Sequence, residues 1–347
     1  MQNLPVDLIR PIFQQVQDRK TLLSLCLSSK ILQIEAQRAL YLSPSGLRPS
    51  PIQHILFLTS LLHNPHLALI VKVYHIMLIS GKEKDTFWQL LPTVLPTMSN
   101  LKVFSISASR EHLSQLPLDK LVFQLDVLSW IQIDGGDSQH FAHWLDSQKA
   151  LKELKWICRN AVAVSPIACP HLISLEGNHS VIAALLPTRR IKRLHWLSDS
   201  TFKGCHLAPL LTEFRSDLHF ESLSFERHSE AIDYRLLVDH LPSLTSLEFI
   251  GDGKEFIDDI PIPPNLKVLI LSITKGYGSR RVFPMTERVC LIGRLFSESL
   301  TLVRVDVAAK MIGGELFYER WENGIRSDAL VPSMVVLQGY RILMDTY

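Results

Sequence analysis

Residues able to do chemistry are present in this chain, but not in sets. Fourteen histidines and five cysteines are spread along 347 residues. The adjacent pair Cys205-His206 has no second half, and no two cysteines stand in a C-x-x-C arrangement. A zinc site needs three or four such ligands brought together, and no H-E-x-x-H motif supplies them. Gly276-Tyr277-Gly278 follows the apolar run at 265–273, as a dinucleotide-binding turn would. That turn needs a third glycine for close helix packing, and position 281 is Arg. The stretch at 251–255, GDGKE, lacks the spacing of a phosphate-binding loop and the Ser/Thr after its lysine. No G-x-S-x-G elbow offers a hydrolase serine. The sequence therefore predicts no catalytic residue, no metal and no cofactor. The basic run Arg189-Arg190-Ile191-Lys192-Arg193 reads as the entrance of a strand with alternating exposed charges.

The bulk composition points the same way. Hydrophobic residues make up 47% and charged residues 20%, a globular balance rich in core. Lys+Arg is 36 against 34 Asp+Glu, so no large field favours a polyanion, and nucleic acid is not an expected partner. The odd, scattered cysteines suit reduced thiols. Met1–Asn3 leads into Leu4-Pro5 with no basic segment followed by an apolar signal core. A cytoplasmic and/or nuclear place is the expectation, and with it the Asn178-His179-Ser180 sequon carries no glycan. Between Arg48 and Lys72 no formal charge occurs, but Asn64-Pro65 breaks the run. An apolar helix at 52–63 followed by a strand is expected there, too short for the roughly 20 residues of a membrane span.

What positions surfaces, rather than chemistry, is legible in the first forty residues. Leu4, Leu8, Ile9, Ile12, Phe13 and Val16 fall on one helical stripe. Pro5 suits a first turn, whereas Pro11 removes the bond to the Asp7 carbonyl and predicts a kink or split. Thr21 is the expected cap of a second helix carrying Leu22, Leu23, Leu25, Cys26 and Leu27. A third follows Ser28-Ser29, with Leu32, Ala36, Ala39 and Leu40 inward. So small a unit has little core of its own, so an excess of apolar residues suggests that some face a partner.

Leu4-Pro5, Leu8, Ile12-Phe13, the Leu22-Leu23-x-Leu25 run and LSSKILQIEAQRALY, ending at Tyr41, resemble an F-box. The later LLHNPHLALIVK, residues 61–72, is similar to a segment that follows the F-box in many fungal F-box proteins. The resemblance implies a domain at 1–43 that docks on a Skp-type adaptor, which joins a cullin scaffold in a ubiquitin ligase. The adaptor-binding residues it implies are Leu4, Pro5, Leu8, Ile9, Ile12, Phe13, Leu22, Leu23 and Leu25. A helical cap on a non-ligase interaction scaffold is the alternative.

The remainder, 44–347, repeats. An apolar, two-residue, apolar, one-residue, apolar pattern recurs around Tyr74, Phe104, Leu128, Leu154, Leu175, Leu194, Leu223, Leu247, Leu269 and Val303. Steps between these centres run from 19 to 34 residues, most between 21 and 29, the spacing of leucine-rich repeats. Helix-like pieces fall between them at 85–95, 138–148, 234–241 and 286–300. The asparagine usual after such strands is absent; Ser109, Arg159, Ser180, Asp199, His228, Asp252, Thr274 and Ala308 stand there. The expected fold is α/β: a three-helix F-box followed by an irregular leucine-rich-repeat-like solenoid with parallel strands on one face. That irregular form also resembles the second part of fungal F-box proteins.

Side chains alternate along a strand, so the neighbours of each centre should face outward. Glu153, Lys155, Arg193, His195, Ser224, Glu248 and Ile270 are the expected target-binding face, with a basic middle and an apolar end. Such a surface suits a protein target, of identity unknown.

Overall fold

The protein is described from a computed structural model, which places residues 6–16, 18–44, 50–77, 79, 83–134, 139–158, 160, 162–197, 219–227, 241–251, 262–273, 285–312 and 315–338. The fold is α/β, with helices alternating with strands that pair mostly in parallel. Two compact units are formed, Met1–Leu151 and Lys152–Thr346.

The first unit opens on three short helices, α1 (Val6–Gln14), α2 (Arg19–Cys26) and α3 (Lys30–Leu42). Contrary to the expected break, α1 runs on through Pro11. One missing N–H donor is outweighed by the packing of Ile9 and Phe13 on either side of it. Nor does Thr21 cap α2. The Asp18 carboxylate does, accepting from the N–H groups of Lys20 at 3.3 Å and Thr21 at 2.9 Å, while the Thr21 hydroxyl also donates to it. These bonds hold the Asp18 carboxyl below its usual range, with the Thr21 hydroxyl the largest cause. Ser29 caps α3 by accepting from the Leu32 N–H at 3.3 Å.

Ile9, Phe13, Leu22 and Ala36 form the core of this module, with Val16, Leu25, Cys26, Leu32, Ala39 and Leu40 packed around them. Arg10 holds α1 to α3 through two 3.2 Å hydrogen bonds to the largely buried Glu35. The uncharged run forms α4 (Pro51–His63), ended by Asn64, then α5 (Pro65–Ala68). Tyr41 of α3 stacks on Phe57 with ring centroids 5.7 Å apart and shares a 2.9 Å hydrogen bond with Ser60. Strands β1 (Val73–Met77), β2 (Val103–Ala108) and β3 (Val127–Gln132) are parallel neighbours, with Tyr74, Phe104 and Leu128 in register. Between and after them lie α6 (Lys84–Val94), α7 (Arg110–Leu113) and α8 (Gln139–Leu145).

In the second unit β4 (Glu153–Ile157), β5 (Ser174–Gly177), β6 (Arg193–Trp196), β7 (Ser222–Arg227), β8 (Ser246–Gly251), β9 (Val268–Ile273) and β10 (Arg304–Ile312) pair in parallel, each with the next. Leu154, Leu175, Leu194, Leu223, Leu247, Leu269 and Val305 lie in one register row. The last repeat centre is therefore Val305, not Val303, and its pattern is Leu302, Val305 and Val307, all buried, while Val303 and Leu300 face solvent. The α9 helix (His179–Leu185) packs on β5, and α10 (Met285–Glu298) precedes β10. The segment expected as a helix at 234–241 lies outside the described residues except for Leu241.

A backbone device recurs along the repeats. The carbonyls of Lys72, Lys102, Lys152, Ile173, Lys192, Glu221, Thr245 and Lys267 each accept from two consecutive N–H groups opening the next strand. Side chains that precede the strands add bonds to backbone groups of the previous repeat. Asn100 donates to Leu69 O, Asn265 to Pro242 O and Thr301 to Pro264 O, while Gln148 ties Leu125 N–H to Phe123 O.

The unit then departs from the repeat. β11 (Glu315–Glu322) pairs antiparallel with β10, and β12 (Ile325–Pro332) antiparallel with β11. Asn323 and Gly324, both at positive φ (49° and 81°), turn the β11–β12 hairpin. A short helix, α11 (Ser333–Leu337), packs back on it.

Candidate functional site

The apolar residues of the opening helices split by face. Ile9, Phe13 and Leu22 are buried in the module's own core, and Leu25 is half-buried against it. These four serve the bundle, since a stripe can point inward only once. Leu8, Ile12 and Leu23 are exposed, and the structure adds three that sequence spacing missed: Leu27 (90% exposed), Ile31 and Ile34 (63%). Leu4 and Pro5 lie outside the described residues. Leu23 and Leu27 also line a cavity of about 580 Å³, together with Leu40, Tyr41, Leu56 and Phe57, with Arg19 and Cys26 at its wall. Burial raises the Cys26 thiol above its usual range. The exposure of these apolar side chains on so small a module makes the helices a candidate docking surface.

The second candidate is the face of β4–β11 opposite the packed helices. On the helix side, Gly177 leaves no room for a side chain: a Cβ there would sit 2.8 Å from the Trp156 carbonyl oxygen and 3.0 Å from Val181. On the other side, register puts Lys155, Glu176, His195, Ser224, Glu248, Ile270, Asp306 and Arg320 in one row. Alternation is as expected, but access is not. His195, Ser224, Glu248 and Ile270 are all buried, Ser224 and Ile270 completely. Only Glu153, Lys155 and Arg193 of the expected seven are half-exposed. Strands a few ångströms apart carrying side chains of this size shield one another.

Nor is the middle of the face basic. Lys155 pairs with Glu176, whose other oxygen lies 3.3 Å from His195 Nδ1. Arg193 Nη2 donates to Glu153 Oε1 at 2.7 Å. Burial alone would raise the Glu176 carboxyl, and it is the largest single influence. His195 and Lys155 together outweigh it and hold the group at about 2. Further along, Ser224 Oγ and Ser272 Oγ each donate to Glu248 at 2.6 Å, and Ser272 shares a 2.6 Å hydrogen bond with Tyr318 OH. Asp306 is clamped by Arg304 at 3.2 Å and Arg320 at 2.8 Å. The charges were legible in sequence; their mutual pairing was not, because apart from Arg304 with its near neighbour Asp306 it joins residues 14 to 40 positions apart.

Glu176, His195 and Ser224 are adjacent, as the members of a hydrolytic triad are. Their geometry is different: the serine hydroxyl is committed to Glu248 and His195 Nε2 meets no hydrogen-bond partner. A poised nucleophile must bond to its base. Among the described residues no group of three or more His, Cys, Asp or Glu is placed to hold a metal. The Cys205-His206 pair and the glycine turn at 276–278 lie outside them, as does all of the 251–255 stretch but Gly251. The basic run alternates as expected at the entrance of β6, with Arg190 and Lys192 exposed and Arg189 and Ile191 buried. Arg189 is buried and donates to the carbonyls of Ser165, Ala168 and Leu185, and Lys192 pairs with Glu221 at 2.7 Å. Asn178 of the sequon is buried and donates to the Cys158 carbonyl. No described helix is long and apolar enough to cross a membrane. No protein-family model matches the chain, and no curated protein matches it.

Proposed function

We propose that the chain is the substrate-receptor subunit of a Skp–cullin–F-box ubiquitin ligase. The opening helices are the F-box and dock on a Skp-type adaptor, which links them to the cullin scaffold. The front face of the repeats, read as an irregular leucine-rich-repeat-like solenoid, holds a target protein. Such a subunit contributes no reacting group. It raises the effective concentration of target beside the transferring enzyme.

The observation that carries the reading is the division of apolar residues on α1–α3. Ile9, Phe13, Leu22 and Ala36 are enough to close the bundle, and Leu8, Ile12, Leu23, Leu27, Ile31 and Ile34 remain outside it. A helical cap serving only its own domain has no use for six exposed aliphatic side chains. The same helices carry the exposed cations Arg19, Lys20, Lys30 and Arg38, with Asp18 as an exposed acid. An apolar partner surface with an acidic rim is the complement.

The test is co-purification of the intact chain with a Skp-type adaptor and its cullin. Retention by the native chain, lost in Leu23→Asp with Leu27→Asp, is the expected result. A native chain that folds and retains neither partner makes the helices a cap on an interaction scaffold.

A further inference from the structure

The last described helix lies on the front face of the second unit, over the apolar end of the row assigned to target recognition. Val336 and Leu337 of α11 are buried against Ile270, Ala308 and Tyr318, with Val268, Leu316 and Val331 around them. Little in α11 itself explains a helix. It has five residues, two of them valines, and no side-chain cap bond at its start. Isolated helices of that length do not persist in water, and β-branched residues lower the propensity further. Its place depends on what Val336 and Leu337 bury.

Two features separate α11 from an ordinary surface helix. Such a helix turns polar residues outward, yet Met334 and Val335 are exposed on the far side. And the ground beneath it is complete without it. Tyr318 OH bonds to Ser272, Ser272 donates to Glu248, and Arg320 holds Asp306. The side chains of α11 from Met334 to Leu337 have no hydrogen-bonding group to offer that network. Lifting α11 away thus uncovers apolar surface but strands none of those polar groups, and stranded polar groups are what make local opening costly.

We infer that the ground formed by Val268, Ile270, Ala308 and Tyr318 is a docking seat for a short helical segment presenting two adjacent aliphatic side chains, and that α11 is its occupant within the chain. The inference rests on reading the front face as the target-binding surface. A target segment that displaces α11 has the same chemistry: one or two turns, uncharged, aliphatic. A segment charged at those two positions meets only apolar side chains in the seat, and Asp306 is already matched by Arg304 and Arg320. The intramolecular segment sets the threshold that a target must exceed, because the cis copy competes at high effective concentration.

The experiment uses a fluorescent peptide of residues 330–340, titrated by anisotropy into the native chain and into a chain ending at Pro332. The shortened chain binds the peptide at least tenfold more tightly than the native chain. A peptide carrying Val336→Ser and Leu337→Ser loses at least tenfold. A folded shortened chain that ignores the peptide, or takes both peptides equally, overturns the inference. Where shortening costs the cooperative melt, full-length Leu337→Ser decides: it must bind the native peptide more tightly than the native chain does, and unchanged affinity overturns the seat. Neither adaptor nor target enters these measurements, so failure of the seat and failure of the ligase reading are told apart.

Discussion

Glu176 shows how far a single side chain is governed by its neighbours. Its carboxylate is buried between Lys155 and His195, and their charge holds it ionised down to about pH 2. A depressed carboxylate contributes stability that is present in full above its ordinary range, near 4.5, and is lost as pH falls toward 2. Glu176→Gln removes that contribution. We predict a gap between native and variant on the order of 2–3 kcal/mol at neutral pH, closing as pH falls from 5 to 2.5. Denaturant titrations across that range check it, and a gap independent of pH contradicts it. The same pairing changes how the front face is to be probed. Reversing Lys155 or Arg193 breaks an internal ion pair before it affects any target, so loss of binding in such a variant reports the sheet as well as the surface.

At the scale of elements, the strand pattern was readable because packing imposes it. Leucines three and five residues apart fill the space between neighbouring strands and the helices behind them. Nine of the ten expected centres lie in the observed registers, and the exception slipped by two residues at Val305. That slip came from reading Leu300 and Val303 as buried, when apolar residues just before a strand are free to face solvent. The hairpin of β11 and β12 had its own signal, Asn323-Gly324 between apolar runs, which favours a two-residue turn with both residues at positive φ. The repeat pattern drew attention from it. The helices α7 and α9 were missed since four to seven residues hold too little periodicity. Gly177 is closed in by the β4 backbone and by Val181 of α9. We predict that Gly177→Ala lowers stability by about 1–3 kcal/mol, because the Cβ meets backbone. Gly293→Ala in α10, where nothing lies within 4 Å, raises it by about 0.5–1 kcal/mol. Thermal melts of the pair check the contrast, and equal shifts contradict it.

For the molecule as a whole, the proposed function gives two surfaces two tasks. The opening helices bury Ile9, Phe13, Leu22 and Ala36 with six partly buried neighbours around them and leave six aliphatic side chains exposed, and the three short helices themselves were legible as a spaced pattern. Which residues of that pattern face outward was not, because spacing gives a stripe and only packing tells its inner edge from its outer one. Phe13 illustrates this: it belongs to the pattern and is 6% exposed, so a charge there unfolds the bundle and says nothing about a partner. The measurement that tests the central claim most directly is a calorimetric titration of purified Skp-type adaptor into the native chain and into Leu8→Asp with Ile12→Asp. Both positions are about half exposed, so the variant should keep the native melting temperature. The account predicts tight binding by the native chain and at least a hundredfold loss in the variant, the scale of two interface anchors at about 2 kcal/mol or more each. Unchanged affinity in a folded variant, or no binding by the native chain, contradicts it.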